Sequence, residues 1–557
     1  MKKLAFILLI VTLAAIPAAA QSAKNLVYDD PVYEFLDKAY SKGWIYYMPD
    51  VKPYTEKRAL QYLNEVKALV LENPDSLTDS EKEQLYHYID RLKGDKFNLF
   101  SYRGEHFGAD ANLAPHAGLN ADLGDLQDNS SSVGSDFILD LYAGKNVYLG
   151  VRSDIYAVLD NWETAPYRLY QDPLKPDFNM YTYNLDTKDK GFNHHAERSV
   201  GDTELSLRMD QINQFSADLP FTHISAGRNA LNWGPGELAS LSLSKTSKPY
   251  EYLFFDFPIG GKMYYSWMTG FLRDVEEFGA TEDQDKMISS HRFEFQPWKW
   301  FMFSVYETVI YSQRFAPGYI NPFSLYYISE VFGGDRDNKF GGMDFVFRFC
   351  ATKLYLSLYM DDWDFDKMFN INYFHNIAGL TAGYKFYDVV PKLDLTLEYT
   401  YLSHWMYTHK LFSGDKRNSY SHYGSSAGHF LPPNSQLVYA DITYNASPEW
   451  KGGLSFMYTQ HGFGNINTHA HDDGIGWDIG GAYKDWDDEY KFLDHGISGI
   501  HKESNLDFTL HGEYRIPYYG VKLNAAFSLD YTKNKGNIKG EDEWRGILAL
   551  GAKWQAY

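Results

Sequence analysis

The feature that most constrains this chain is a two-residue rhythm that starts after Phe97 and recurs to the C-terminus. At 392–402, Leu393, Leu395, Leu397, Tyr399 and Tyr401 alternate with Lys392, Asp394, Thr396, Glu398 and Thr400. At 521–531, Val521, Leu523, Ala525, Phe527, Leu529 and Tyr531 alternate with Lys522, Asn524, Ala526, Ser528 and Asp530. A period of two puts every second side chain on one face of a strand, so each stretch has an apolar face and a polar or charged one. About eighteen such strands are predicted, at 105–119, 135–146, 147–159, 202–216, 221–230, 250–257, 260–273, 289–297, 298–312, 338–350, 351–364, 375–388, 392–405, 436–447, 450–462, 503–516, 521–534 and 543–557. Short turns join the second to the third, the fourth to the fifth, and so on to the sixteenth and seventeenth. Pro220, Pro258, Pro297, Pro391, Pro448 and Pro517 fall in six of these turns. Every other connection is long, as at 160–201, 313–337, 406–435 and 463–502. A soluble sandwich also alternates. An even strand number with short turns on one side and long loops on the other is the pattern of a bacterial outer-membrane barrel. Closure also removes sheet edges that lipid would not tolerate. The last strand fits, with Leu548, Leu550, Ala552 and Trp554 in phase before a terminal Tyr557 that is one place out of phase. The predicted fold is an all-β transmembrane barrel of about eighteen antiparallel strands behind a small α-helical domain.

The N-terminus reads as an export signal. Lys2 and Lys3 precede an apolar run, Leu4 to Ile16, too short to span a bilayer, and Ala18-Ala19-Ala20 offers a cleavage site before Gln21. The only cysteine is Cys350, so neither a lipid-bearing cysteine at the cleavage point nor a disulfide framework is expected. Cys350 itself, at a turn between strands, reads as a buried or interfacial thiol. Residues 25–94 follow helical periodicity. Asp30-Pro31 opens one helix that Gly43 ends, Thr55 caps a second, and Thr78-Asp79-Ser80-Glu81 is a capping box for a third. The expected organisation is a signal peptide at 1–20, a helical periplasmic domain at 21–97 and the barrel at 98–557. The formal charge of −21, about −23 once Lys2 and Lys3 are removed, excludes nucleic acid as a partner, since phosphate binding needs clustered cations.

One stretch resists a plain strand-and-loop reading. Gly227-Arg228 leads into Trp233-Gly234-Pro235-Gly236, yet no lysine follows as a phosphate-binding loop requires. The glycines permit a tight bend. That bend could return the segment into the lumen as a constriction, with Arg228 and Trp233 facing polar partners inside.

These residues also carry a resemblance. Gly227-Arg228 with Trp233 to Gly236 and Leu241-Ser242-Leu243-Ser244, then His291-Arg292-Phe293-Glu294-Phe295, Tyr319-Ile320-Asn321-Pro322, Asp337-Asn338 with Gly341-Gly342-Met343-Asp344, Glu398 to Tyr401, Tyr420 to Tyr423 and Gly428-His429 form ordered blocks. Together with Asp30-Pro31-Val32-Tyr33 they resemble the Wzi family of capsule assembly proteins across most of the mature chain. The resemblance implies an 18-stranded outer-membrane barrel that is not an enzyme and that helps hold capsular or related polysaccharide at the cell surface. A porin-like channel for small solutes is the alternative. Expected partners are outer-membrane lipid, the surface polysaccharide and the barrel insertion machinery; no cofactor is expected.

Candidate ligand contacts are Arg228, Asn232, Trp233, Asn321, Trp405, Tyr407, Tyr420, Tyr423 and His429, with Gly227, Gly234, Pro235 and Gly236 as a structural motif. Long loops also carry Trp162, Tyr167, Tyr170, Tyr181, Tyr183, Trp477 and Trp486. Aromatic faces beside amides and carboxylates suit stacking on sugar rings, although many such aromatics belong to the interfacial girdle of a barrel. His469-Ala470-His471-Asp472 is the one cluster with metal-ligand chemistry, and it reads more simply as a solvated loop. His194-His195 is a weaker candidate. No Ser-His-Asp pattern is recognised.

Overall fold

The computed structural model describes residues 23–554 apart from 94–97, 105, 125–128, 145, 161–193, 201–202, 274–285, 313, 335, 362–375, 410–417, 423–424, 463–501, 517–519 and 536–537. The signal peptide and Tyr557 lie outside the described residues.

Three helices come first: α1 (Val32–Ser41), α2 (Glu56–Glu72) and α3 (Asp79–Lys93). Each starts where capping chemistry places it. The Asp30 carboxylate accepts from the Val32 N–H at 2.9 Å. Thr55 Oγ1 accepts from the Arg58 N–H at 3.1 Å. Thr78 and Glu81 bond reciprocally as a capping box, at 3.3 Å and 2.9 Å. Gly43 ends α1 at φ +76°, a left-handed conformation open to glycine. Val32, Leu36, Leu60, Leu63, Val66 and Leu85 make the core of this module.

The barrel strands are β1 (Phe107–Asp122), β2 (Asn129–Ala143), β3 (Val147–Asp160), β4 (Thr203–Asp218), β5 (His223–Asn229), β6 (Tyr250–Ile259), β7 (Met263–Leu272), β8 (Lys286–Trp298), β9 (Phe301–Ser312), β10 (Asn338–Phe349), β11 (Thr352–Met360), β12 (Ala378–Val390), β13 (Leu393–Leu402), β14 (Ser435–Asn445), β15 (Trp450–His461), β16 (Glu503–Ile516), β17 (Val521–Lys533) and β18 (Glu543–Trp554). Every neighbouring pair is antiparallel, and β18 pairs with β1 from Ile547↔Asp122 to Lys553↔His116, which closes the ring. Two short strands, Phe100–Arg103 and His194–Val200, flank β1 and β4 without entering the ring, because β13 pairs directly with β14 and β3 with β4. The closed ring therefore holds the eighteen strands expected, each overlapping its predicted range.

The alternation faces as an outer-membrane barrel requires. Along β13, Asp394, Thr396, Glu398 and Thr400 are buried, while Leu397 and Tyr399 are exposed on the outside. Polar side chains line the lumen and apolar ones face lipid. At the short-turn end Trp298 and Trp300 stack at 5.4 Å beside Phe301 and Phe347, forming one sector of an aromatic girdle. Of the two places expected for it, buried or interfacial, Cys350 does not take the buried one. It occupies the tip of the β10–β11 turn, exposed, with φ +51° at Cys350 and +62° at Ala351. Two consecutive left-handed residues are what a tight two-residue hairpin demands, and they turn the side chain outward.

The helical module sits against lumen-facing side chains at the short-turn end. Arg58 of α2 grips Asp256 of β6 with two hydrogen bonds of 2.8 Å. Lys24 reaches Asp140 of β2 at 2.5 Å, and Lys42 reaches Asp388 at the end of β12 at 2.6 Å.

Candidate functional site

The lumen between β5 and β15 is occupied by the chain itself. Residues 230–249, which join β5 to β6, do not project from the barrel. Almost all of them are buried. Asn232–Trp233 instead form a two-stranded antiparallel sheet with Val51–Lys52 of the helical module, in the register Val51↔Trp233 and Lys52↔Asn232. The Gly234 N–H donates to Asp50 O at 2.8 Å. The bend expected here is present. Gly234 has φ +131°, and a β-carbon on Gly236 would lie 2.2 Å from the Ala239 carbonyl oxygen.

Beyond the bend the segment meets the inner wall through charge. The Glu237 N–H donates to Glu398 of β13 at 2.8 Å, and its carboxylate accepts from Lys353 of β11 and Lys385 of β12, both at 2.8 Å. Burial opposes a charge on Glu237, but the two ammonium groups outweigh it and hold the carboxyl well below the usual range. Lys245 donates to the Glu237 carbonyl at 2.6 Å, and burial pushes its ammonium down to about 8. A second seam joins the module to the wall. Asp50 accepts from Arg348 of β10 at 3.1 Å, and Asp37 of α1 accepts from Tyr387 of β12 at 2.5 Å. At the centre Arg292 of β8 is fully buried. It donates to Glu294 at 2.7 Å, to Asp344 of β10 at 2.5 Å and to Ser304 of β9 at 2.8 Å.

Towards the long-loop end an aromatic roof closes this sector. Residues 403–409, 418–422 and 425–434 pack over 230–249 and join its apolar cluster with Leu241, Leu243 and Leu431. Tyr407 stacks on Tyr420 at 5.2 Å, and its hydroxyl donates to Leu241 O at 2.6 Å. The His429 N–H donates to that same hydroxyl at 3.3 Å. Phe340 and Tyr359 of the wall pack edge-on against Tyr420 at 4.7 and 6.1 Å. His422 is held as the neutral ring: Nδ1 accepts from the Arg273 N–H at 2.9 Å, which leaves Nε2 to donate to Pro249 O at 3.0 Å. Burial pushes both His422 and His429 down to about 3.

The structure thus gathers Asn232, Trp233, Tyr407, Tyr420 and His429 in one plug, with Trp405 in the same apolar cluster. From the sequence, Trp405, Tyr407 and Tyr420 read as aromatics of long loops around the barrel mouth. They are buried instead, Trp405 at 3% exposure and Tyr407 and Tyr420 at 0%, in the cluster with Leu241, Leu243 and Leu431, and Trp405 and Tyr407 have left-handed backbones, φ +56° and +72°. Two candidates lie elsewhere. Arg228 pairs across the sheet with Glu251, whereas Gly227 pairs with the lumen-facing Tyr252. A shift of one residue reverses the face. Arg228 is therefore on the outer side, 3.2 Å from Glu251, and not inside as expected. Asn321 lies on the β9–β10 connection, exposed, where its side chain accepts from the Phe323 N–H at 3.1 Å. Tyr423, the loop aromatics Trp162, Tyr167, Tyr170, Tyr181, Tyr183, Trp477 and Trp486, and the cluster His469, His471 and Asp472 lie outside the described residues; of His194 and His195 only the backbone is described. Among the described residues no three His, Cys, Asp or Glu side chains come together to hold a metal ion.

The sequence brings in Arg292 and Asp344 only through the family resemblance and not as site residues, and it does not single out Glu237, Arg348, Asp37 or Asp50 at all. On the strands the visible signal is charge of both signs at lumen phase, as in Arg292 and Glu294.

The model of the capsule assembly protein Wzi family matches residues 219–535, the span that contains the bend, the plug and most of the barrel wall. The chain belongs to the Wzi family of capsule assembly proteins. Among solved structures it is similar to Wzi of Escherichia coli, described as an outer membrane protein involved in group 1 capsule assembly and as a carbohydrate-binding β-barrel. The identity is 13%, 96% of this chain and all of the other are covered, and the TM-score is 0.59. The Pseudomonas aeruginosa barrels OccD3 and OprD are similar over 80% of this chain, and 90% and 93% of theirs, at 10% identity. Their TM-scores are 0.41 and 0.42, too low to bear on conduction. No curated protein matches the chain in sequence. As a Wzi-family barrel, the protein resides in the outer membrane.

Proposed function

We propose that this barrel holds capsular or a related surface polysaccharide at the outer face of the cell, as a binding protein without chemistry of its own on the glycan. The observation that carries this reading, beside membership of the family, is that the lumen sector from β5 to β15 is filled by the chain's own segments. A sector filled in this way suits display of a surface better than passage of solute. In this reading residues 1–20 are removed on export, the module at 21–97 lies in the periplasm, the region 98–557 is inserted by the barrel assembly machinery, and the long loops face outward. The buried aromatics Trp405, Tyr407 and Tyr420 fix the shape of the roof, and the sugar meets the loops that the roof supports. Arg228, Asn232, Trp233, Asn321 and His429 remain candidate contacts or supports of that surface.

The test is a binding screen of the refolded barrel against its host's own surface polymers. Retention by at least one polymer is expected, weakened when Trp405 and Tyr407 are replaced together while heat-modifiable migration persists. Sustained ion conductance in planar bilayers with no polymer retained would overturn the binding reading and leave a channel.

A further inference from the structure

The connection between β9 and β10 does not extend the barrel outward. It carries two short helices, α4 (Pro317–Ile320) and α5 (Tyr326–Gly333), and it folds back down the outside of the wall. The phase of the strands shows this. In β9, Ser304, Tyr306 and Ile310 face the lumen, where they meet Arg292, Asp344 and the plug. Val309 and Tyr311 have the opposite phase and should face lipid, yet both have 0% exposure. They are covered by Tyr319 and Tyr326, and these four residues make a small core separate from the lumen.

Under this cover lies a polar pair on the lipid side of the wall. His291 of β8 and Glu307 of β9 are paired across the sheet, with Nε2 and Oε2 3.2 Å apart. The ring of Tyr326 stacks on His291 at 4.4 Å, and its N–H donates to Glu307 at 2.9 Å. Lower down, Phe323 stacks on Tyr265 of β7 at 5.9 Å, and the Tyr265 hydroxyl donates to Pro322 O. The hairpin therefore descends to about mid-height of β8 and β9. The rest of its surface is apolar and open: Phe315, Leu325, Ile328, Val331 and Phe332 are exposed, Phe332 at 87%. In water such a patch would be costly. Beside it the outward faces of β7 and β9 carry Phe271 and Val305, part of the belt that the barrel gives to lipid.

We infer that residues 314–334 form a lipid-embedded hairpin. The segment lies against the outer wall within the outer leaflet, covers the His291–Glu307 pair, and turns its own apolar side to the acyl chains. The occupant of the patch is membrane lipid, because the patch continues the lipid-facing belt sideways at the depth of the strands and not above their ends.

The test uses the full-length protein with Cys350→Ser and one new cysteine, Phe332→Cys or Ile328→Cys, bearing an environment-sensitive fluorophore. Phe271→Cys in the belt is the reference. In vesicles whose lipids carry bromine on the acyl chains, quenching at least half of that at the reference is expected, with little quenching by aqueous iodide. Strong iodide quenching without bromine quenching would place the patch in water and overturn the inference. Disulfide-linked dimers of unlabelled Phe332→Cys that persist at high lipid dilution would overturn it too, in favour of a second copy as the occupant. Both positions are exposed, so folding is preserved, and heat-modifiable migration checks this.

Discussion

Arg292 shows what a single buried side chain does in this lumen. It pairs with Glu294 and Asp344 at once, and all three side chains are buried. Its replacement by alanine leaves two buried carboxylates unpaired, so a loss of about 3–5 kcal/mol is expected in urea unfolding of the refolded barrel. Arg103→Ala, which removes a partner of Asp110 from a side chain 46% exposed, should cost no more than about 1 kcal/mol in the same titration. Equal effects would mean that the Arg292 network has no special weight. The plug histidines make a pH prediction. An unfolded imidazole takes up its proton near pH 6.5, whereas folded His422 and His429 do so only near 3. The stability due to their neutral rings is full above pH 6.5 and is lost as pH falls towards 3, at about 2 kcal/mol per ring by pH 5. Comparing unfolding midpoints at pH 7 and pH 5 for the wild type and for His422→Asn with His429→Asn checks it: the double variant should lose clearly less on acidification. The sequence marks these rings only through the family resemblance and gives no sign of their burial, since isolated histidines in aperiodic loops carry no pattern.

At the scale of elements, the bend in 230–249 is the piece that joins the roof to the module. A β-carbon at Gly236 would collide with the Ala239 carbonyl, a backbone atom that cannot swing aside. Gly236→Ala should cost about 1–3 kcal/mol and loosen the roof, seen as new protease cleavage within 230–249 in an otherwise folded barrel. Unchanged cleavage would show that the segment accommodates the methyl group. Strands and caps were legible because each obeys a local rule: period two for β13 and β17, Thr55 and Thr78 at helix starts. The placement of the connections was not. Trp405 and Tyr407 read as loop aromatics, and their burial comes from packing on a segment far away in sequence, 230–249. The outer hairpin did leave a trace, because His291 and Glu307 are polar residues at lipid phase on paired strands. Seeing it required the register of two strands, which no single strand contains.

On the scale of the whole molecule, module and barrel are one folding unit. Arg58 with Asp256, Lys24 with Asp140, Arg348 with Asp50 and the Val51–Trp233 pairing tie the helices to strands spread around the ring. Loss of helical circular dichroism and loss of heat-modifiable migration should therefore coincide in denaturant, and Arg348→Ala should separate them by letting the helices melt first. A module that melts early in the wild type would refute this. The small sheet inside the lumen has a mechanical side as well. If the loops hold a polymer as proposed, a pull on the roof would pass to 230–249 through the hydrogen bonds from Ser244 to Ala427 and from Tyr407 to Leu241. That pull ends on the backbone of Val51 and Asp50, in a module drawn against the inner rim of the barrel like the head of a rivet. Such a pull would load the backbone pairing of Val51 with Trp233 and of Lys52 with Asn232 in shear and press the module against the wall.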